Sequence, residues 1–211
     1  MNTHNQDIKD QVITEALEDV VFDGWKWSVI EDAVVKCGHD KDLAITLFPK
    51  KVNDALVHFS DLADRQMLEA LKGINPDDLR VRDRIKRGVE ARLKTLELHK
   101  EAVRAASVYW LVPTRKVQAA KQIWKTADVI WNWAGDDAKD YNHYTKRILL
   151  SGVITTTTMT WLNDMSEGHN DTHEFLDRRI NDVLKIGGAA GKVMGPVLSR
   201  FGFLNKRETK V

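Results

Sequence analysis

The sequence predicts an all-α fold. Three observations carry this. Apolar residues recur at three- and four-residue spacing along most of the chain. The chain has only four prolines to interrupt such helices. No stretch alternates apolar and polar residues convincingly enough for a strand.

The elements follow in order. Ile8, Val12, Ile13, Ala16, Leu17 and Val20 share one helical face, predicting a first helix over about 7–22 that ends at Gly24. Ser28 can cap a short helix to Lys36, Gly38 turns the chain, and Asp40 opens a third short helix ending near Phe48-Pro49. A long helix covers about 52–72. Asn75-Pro76-Asp77-Asp78 reads as a helix start, with proline in the first turn and acids at the positive pole, and that helix runs to about 99. The remaining helices fall at about 100–110, 115–134, 140–163 and 171–186, separated by Pro113 and by Gly135-Asp136-Asp137. The Thr155–Thr158 run is β-prone, but its flanks keep helical spacing and it is read as helix. Gly187-Gly188-Ala189-Ala190-Gly191 reads as a hinge.

Composition excludes several classes. The chain has 211 residues, 43% hydrophobic and 30% charged, which suits a packed domain and neither an integral membrane protein nor a disordered chain. Its formal net charge of +1 gives no bulk attraction to nucleic acid. Cys37 is a lone cysteine, so no internal disulfide is possible. Met1–Asp10 is polar and acidic, with neither a signal core nor a basic transit pattern, giving the expectation of a cytoplasmic chain or a mature form. No window of eighteen uncharged apolar residues occurs, so no membrane span is expected.

Gly24-Trp25, Ile30, Ala33, Gly38, Leu43, Leu47-Phe48-Pro49, Lys51 and Leu56 form a pattern over roughly the first sixty residues. It resembles the helix-turn-helix head of tetracycline-repressor-like regulators. That resemblance implies a tetracycline-repressor-like helical fold, with a three-helix head at 1–51, here read as degenerate, on a larger helical ligand domain at 52–186; the hinge and tail follow at 187–211. Charge argues against a DNA-binding head. Six lysines in residues 1–51 stand against ten carboxylates, a net −4 facing a polyanion. The candidate recognition segment Asp40–Leu47 offers two carboxylates and one lysine. No nucleic-acid partner is expected.

Two stripes mark the later helices. Ile123, Trp124, Ala127, Ile130, Trp131 and Ala134 share a face. Tyr141, Tyr144, Ile148, Gly152, Thr155 and Met159 form another that mixes large rings with small residues. Such a stripe fills a core or leaves a tunnel for an apolar tail. Asp136, Asp140, Asn142 and Arg147 lie around a helix break, either as a polar rim for a partner or head group, or as caps and ion pairs. In the tail, Val193, Met194, Val197, Leu198, Phe201 and Leu204 fall within about 140° of a helical wheel, and Lys192, Arg200, Lys206 and Arg207 fall opposite. Phe203 lies outside the apolar arc. Residues 185–211 carry six cations and Glu208 alone as acid, net +5, which suits an interfacial membrane helix or a helix docked on its own protein.

The segment Trp131-Asn132-Trp133-Ala134-Gly135-Asp136, followed by Asp140-Tyr141-Asn142-His143-Tyr144-Thr145-Lys146-Arg147, Thr155-Thr156-Thr157 and Phe175–Asp182, resembles the coenzyme Q nine family of ubiquinone biosynthesis. With head and tail the likeness spans nearly the whole chain. It implies a non-catalytic, lipid-binding accessory protein that binds quinone precursors or phospholipid and presents them to the pathway's di-iron hydroxylase at the membrane. It implies a homodimer, peripheral on the cytoplasmic face of the inner membrane, or on the matrix side for a mature mitochondrial form. No cofactor is expected, but a bound isoprenoid or phospholipid is. The lipid-binding residues implied are Trp124, Ala127, Ile130, Trp131, Tyr144, Ile148, Gly152, Thr155 and Met159. The partner patch is Asp136, Asp140, His143, Tyr144 and Arg147, where His143 replaces a family tryptophan. The membrane face is Val193, Met194, Val197, Leu198, Phe201 and Leu204.

Enzymatic signatures are missing from the sequence. A di-iron bundle uses Glu-x-x-His, which does not occur, and no catalytic residue or metal site is expected. His169 and His173 are four apart beside Glu174 but have no third ligand in the pattern, so they read as surface histidines. The rival functions are a ligand-responsive transcription regulator and a ligand-free helical scaffold.

Overall fold

The helical spacing of the sequence is realised along the chain. The computed structural model describes residues 3–136, 141–183 and 185. Its helices are α1 (Thr3–Asp23), α2 (Trp27–Lys36), α3 (Leu43–Leu47), α4 (Val52–Leu71), α5 (Val81–Leu96), α6 (Lys100–Trp110), α7 (Lys116–Trp133) and α8 (Tyr141–Asn163). A further helix, α9, covers 170–183. No strand occurs among the described residues. The hinge and the tail face proposed for 187–211, with Val193, Met194, Val197, Leu198, Phe201 and Leu204, lie outside them, as does Asp140.

Several expected boundaries move: α2 has Lys26 as its N-cap, without a side-chain cap from Ser28, and α3 begins at Leu43, beyond Asp40. Asn75 accepts the Asp77 N–H at 3.2 Å, so the Asn-Pro-Asp-Asp cap closes a 3-10 turn at Pro76–Asp78. Leu79 and Arg80 are then extended, and α5 begins at Val81. Asn-Pro serves a single turn as readily as a helix, because both leave the same first N–H groups to satisfy.

α1 packs on α2, α4 and α6, while α7 packs on α4, α5 and α8. One hydrophobic cluster runs from Ile8 to Ile180. The Trp25 indole N–H donates to the Ala102 carbonyl at 2.9 Å, and its ring meets Phe59 at 5.3 Å, fixing the first helices to the rest. α5 and α7 cross so closely at Gly88 that a Cβ there would lie 2.7 Å from Ile130 Cγ2. Gly88→Ala must therefore push the two helices apart. We expect it to lower stability by about 1–3 kcal/mol in urea titration, the usual range for overpacking. An unchanged midpoint would contradict the close crossing.

The α8–α9 corner hangs on Asp164, which is buried. Its carboxylate accepts from the Ser166 N–H (2.8 Å) and hydroxyl (2.6 Å) and from the Thr172 N–H (2.9 Å) and hydroxyl (2.5 Å). Burial alone would raise its pKa, but these four bonds outweigh it and hold the carboxyl well below the usual carboxylate range. A carboxylate depressed on folding stabilises fully above its unfolded pKa near 4, and that contribution is lost as the pH falls further. The stability gap between wild type and Asp164→Asn should be widest near neutrality and shrink below about pH 4. A pH-independent gap would show that ionisation of Asp164 plays no part.

Candidate functional site

Five helices leave space among them. The cavity has a volume of about 260 Å³. Leu56, Phe59, Ser60 and Ala63 face it from α4, Arg92 and Leu96 from α5, and Val103, Ala106, Ser107 and Trp110 from α6. Ala119, Gln122, Ile123 and Thr126 close it from α7, and Ile154, Thr155, Thr158 and Met159 from α8. Each set follows helical three- and four-residue spacing, so single faces of several helices line the space. The void arises where alanines meet alanines: Ala63, Ala106 and Ala119 stand where larger side chains would fill it. Among the lining residues, Leu111 and Met159 are exposed and mark the mouth. Leu56, Ala63, Leu96 and Thr126 are buried and mark the closed end.

That closed end is polar. Arg92 donates through Nε to Asp64 at 2.7 Å and through a terminal nitrogen to the Ser60 hydroxyl at 3.0 Å. The Thr126 hydroxyl donates to the other Asp64 oxygen at 3.0 Å. Asp64 is buried, and Arg92 balances its charge, so the cluster is neutral as a unit. Beside it the Gln122 side-chain oxygen is buried and has no hydrogen-bond partner. A buried amide oxygen without a partner on a cavity wall suits a ligand that brings one.

The residues around the family-like motif form a different structure. Gly135, at φ +79°, ends α7, and the N–H groups of Gly135 and Asp136 return to Asn132 and Trp131. The Arg147 side chain, 1% exposed, runs inward from α8. It meets Asp128 at 2.5 Å, Asp136 at 3.0 Å and the His143 carbonyl at 3.1 Å. Lys146 also binds Asp136 and lies over the Trp131 ring at 5.2 Å, while the Trp131 indole donates to the Lys146 carbonyl at 3.2 Å. Burial raises the Asp136 pKa, but the bonds from Lys146 and Arg147 prevail and lower it.

The expected site residues divide three ways. Thr155 and Met159 stand on the cavity wall. Ala127, Ile130 and Trp131 are buried in the core. Trp124, Tyr144, Ile148 and Gly152 lie away from the cavity. The Trp124 and Tyr144 rings are 6.1 Å apart, and Tyr144, Ile148 and Gly152 are exposed. Of the expected partner patch, Tyr144 faces solvent with the His143 ring edge-on at 5.2 Å. Arg147 and Asp136 instead tie α7 to α8, because a guanidinium placed between two carboxylates at this depth is fully engaged. The α4, α5 and α6 walls were not singled out from the sequence. Val103-Ala106-Ser107-Trp110 was their visible trace, a stripe that reads equally well as core. His173 binds Glu90 at 2.9 Å and His169 lies 3.8 Å from Glu97, and no group fit to hold a metal occurs among the described residues. No described helix is long and apolar enough to cross a membrane.

An all-helical, repressor-like domain enclosing an apolar cavity is thus the class this fold defines. A TetR transcriptional regulator from Nitrosomonas europaea superposes with a TM-score of 0.66, covering 83% of this chain and 97% of that one at 18% identity, a likeness of fold alone. Residues 117–187, spanning α7, the Arg147 ties and α8, match the COQ9 family model. Ubiquinone biosynthesis protein COQ9, mitochondrial, is 28% identical in rat over 195 residues, covering 89% of this chain and 62% of that protein. The human protein is 26% identical with 89% and 61% coverage. The chain spans about six-tenths of the length of these curated relatives. Its resemblance to the COQ9 family is therefore shown both in the α7–α8 segment and along most of the chain.

Arg147→Met removes the cation held between Asp128 and Asp136 and leaves Lys146 as the remaining partner of Asp136. We expect a loss of roughly 2–4 kcal/mol in equilibrium unfolding, somewhat below the cost of orphaning a buried charge. Tyr144→Ala, on the exposed side of the same helix, should cost under about 0.5 kcal/mol. Equal effects would remove the distinction between buried tie and outer face.

Proposed function

We propose that the chain is a non-catalytic, lipid-binding accessory protein of ubiquinone biosynthesis, and that its cavity holds the ring end of a prenylated phenol or quinone precursor. The observation that carries this reading is an apolar cavity with a neutral polar cluster at its closed end, in a chain similar to COQ9 proteins. An enclosed space of about 150 Å³ holds a benzene ring. The present 260 Å³ suits a substituted ring and the start of a chain, whereas a long polyprenyl tail must leave through the mouth. Ser60 and Arg92 can donate to a small neutral oxygen, and the Gln122 oxygen can accept from a phenol hydroxyl. A phosphate would meet a guanidinium already balanced by Asp64. The polar cluster thus favours a phenol or quinone head over a phospholipid head, and leaves acyl tails as weaker occupants.

In this reading the protein contributes by taking the ring out of water and positioning it, while the pathway's di-iron hydroxylase performs the bond-making step. Tyr144 and His143, on the outer side of α8, are the described part of the surface that would meet the hydroxylase. The tail would hold the protein on the inner membrane, at the cytoplasmic face or at the matrix face in a mitochondrion, and the working form is a homodimer. A DNA-binding role has little support from the head. There Lys26, Lys36 and Lys41 each pair with the head's own carboxylates, and phosphate contacts would have to break those pairs.

Native mass spectrometry of the purified protein, followed by organic extraction, tests the reading. Isoprenoid-bearing lipid should leave with wild type and be absent from Ala106→Phe, which fills the cavity. Gln122→Leu should weaken a short-chain prenylated phenol, whose hydroxyl can donate to the Gln122 oxygen, about tenfold, the value of one buried hydrogen bond, without changing retention of an isoprenoid hydrocarbon. Wild type that extracts clean and binds neither probe would sink the proposal and leave a ligand-free scaffold.

A further inference from the structure

The cavity mouth lies against the corner where α6 ends and α7 begins. That corner is apolar on the outside. Val108, Leu111 and Val117 are 63%, 67% and 69% exposed, and Val112 is exposed as well. Four apolar side chains grouped at one tip form a patch, and a patch of that kind marks a contact surface. Behind them stand Tyr109 and Trp110, half-buried with rings 5.1 Å apart. Trp110 and Leu111 also line the cavity, so the patch is continuous with the mouth.

The stretch of chain that builds this corner carries charge of one sign. Between Glu101 and Asp128 the chain carries no carboxylate, while Arg104, Arg115, Lys116, Lys121 and Lys125 give net +5 in a protein whose formal net charge is +1. Arg104 is paired with Glu101 and Lys125 with Asp61, at 3.2 and 2.8 Å. Arg115, Lys116 and Lys121 have no ion-pair partner among the described residues. Arg115 is held in place, its guanidinium 3.7 Å from the Tyr109 ring centre and donating to the Tyr109 carbonyl at 3.1 Å. Exposed aliphatic side chains, aromatic rings set one layer back and uncompensated cations at the edge are the three components of an interfacial membrane contact.

We infer that the α6–α7 corner docks on an anionic lipid bilayer, Val108, Leu111, Val112 and Val117 entering the head-group boundary while Arg115, Lys116 and Lys121 meet lipid phosphates. This contact is separate from the tail. Residues 185–211 are themselves net +5, so like charge opposes the tail as the occupant of this corner. The corner also sets the direction of the cavity: with Leu111 at the surface of the bilayer, the mouth opens onto the lipid phase and a long apolar chain passes through it without entering water. Two cationic contacts on one chain give the two-signal attachment that stable peripheral binding requires.

The full chain carrying Cys37→Ser and Val112→Cys, labelled with a polarity-sensitive fluorophore, tests this with vesicles of phosphatidylglycerol in phosphatidylcholine. Emission should shift to the blue with these vesicles and not with phosphatidylcholine alone. A label at Asp40→Cys, on the head, should not respond. Adding Lys116→Glu and Lys121→Glu should weaken vesicle partition at least tenfold, with the circular dichroism of the folded protein unchanged. Three results would overturn the inference: a label at 112 that stays in water while the protein floats with the vesicles, which leaves the tail as the contact; a label already blue-shifted before vesicles are added, which makes protein the occupant; or a shift indifferent to lipid charge. None of these bears on whether extracted protein carries a lipid, so the corner and the cavity stand or fall separately.

Discussion

A single guanidinium governs how the last long helices meet. Arg147 enters from α8 and lies between Asp128 of α7 and Asp136 just beyond the end of α7. A cation at this depth is tolerated only with its charge balanced and its donors engaged, and both conditions hold only for one register of α8 against α7. Gly135 makes the geometry possible by ending α7 in a conformation closed to most side chains, which brings Asp136 back toward Trp131. Within the segment that matches the COQ9 family model, Arg147 and its two carboxylates thus form a device for fixing two helices.

The cavity follows from that fixation. With α7 and α8 tied near Arg147, their surfaces further along, Ala119 to Thr126 and Ile154 to Met159, meet α4, α5 and α6 across alanines and threonines. At the Gly88–Ile130 crossing, by contrast, the helices are packed to contact distance. Tight packing at one place and small residues at another leave a space of defined shape. The Asp64–Arg92–Thr126 network keeps that space open at its closed end, since these hydrogen-bonded groups cannot collapse into an apolar core without losing partners.

Most of the helical order was legible in the sequence because each helix carries its own period. The α6 and α7 bounds fall where Pro113 and Gly135 predicted them. The start of α5 did not, since Asn75-Pro76 satisfies the same N–H groups in a single turn. The site was less legible, for two reasons. Periodicity shows that residues share a face but not which face turns inward; the threonines of α8 blur the difference, so Tyr144, Ile148 and Gly152 were grouped with Thr155 and Met159, although only the last two reach the cavity. The other walls come from α4, α5 and α6, tens of residues earlier, and no local signal joins them to α7 and α8. Arg147 as a buried tie left only a faint trace, two carboxylates at a helix end upstream of a lone arginine.

A crystal structure of the protein carrying a short-chain prenylated phenol tests the central claim most directly. The account predicts ring density against Ser60, Arg92 and Gln122, with the prenyl chain leaving between Leu111 and Met159. A ring seated on the outer face beside Trp124 and Tyr144, or side chains closed over an empty interior, would contradict it.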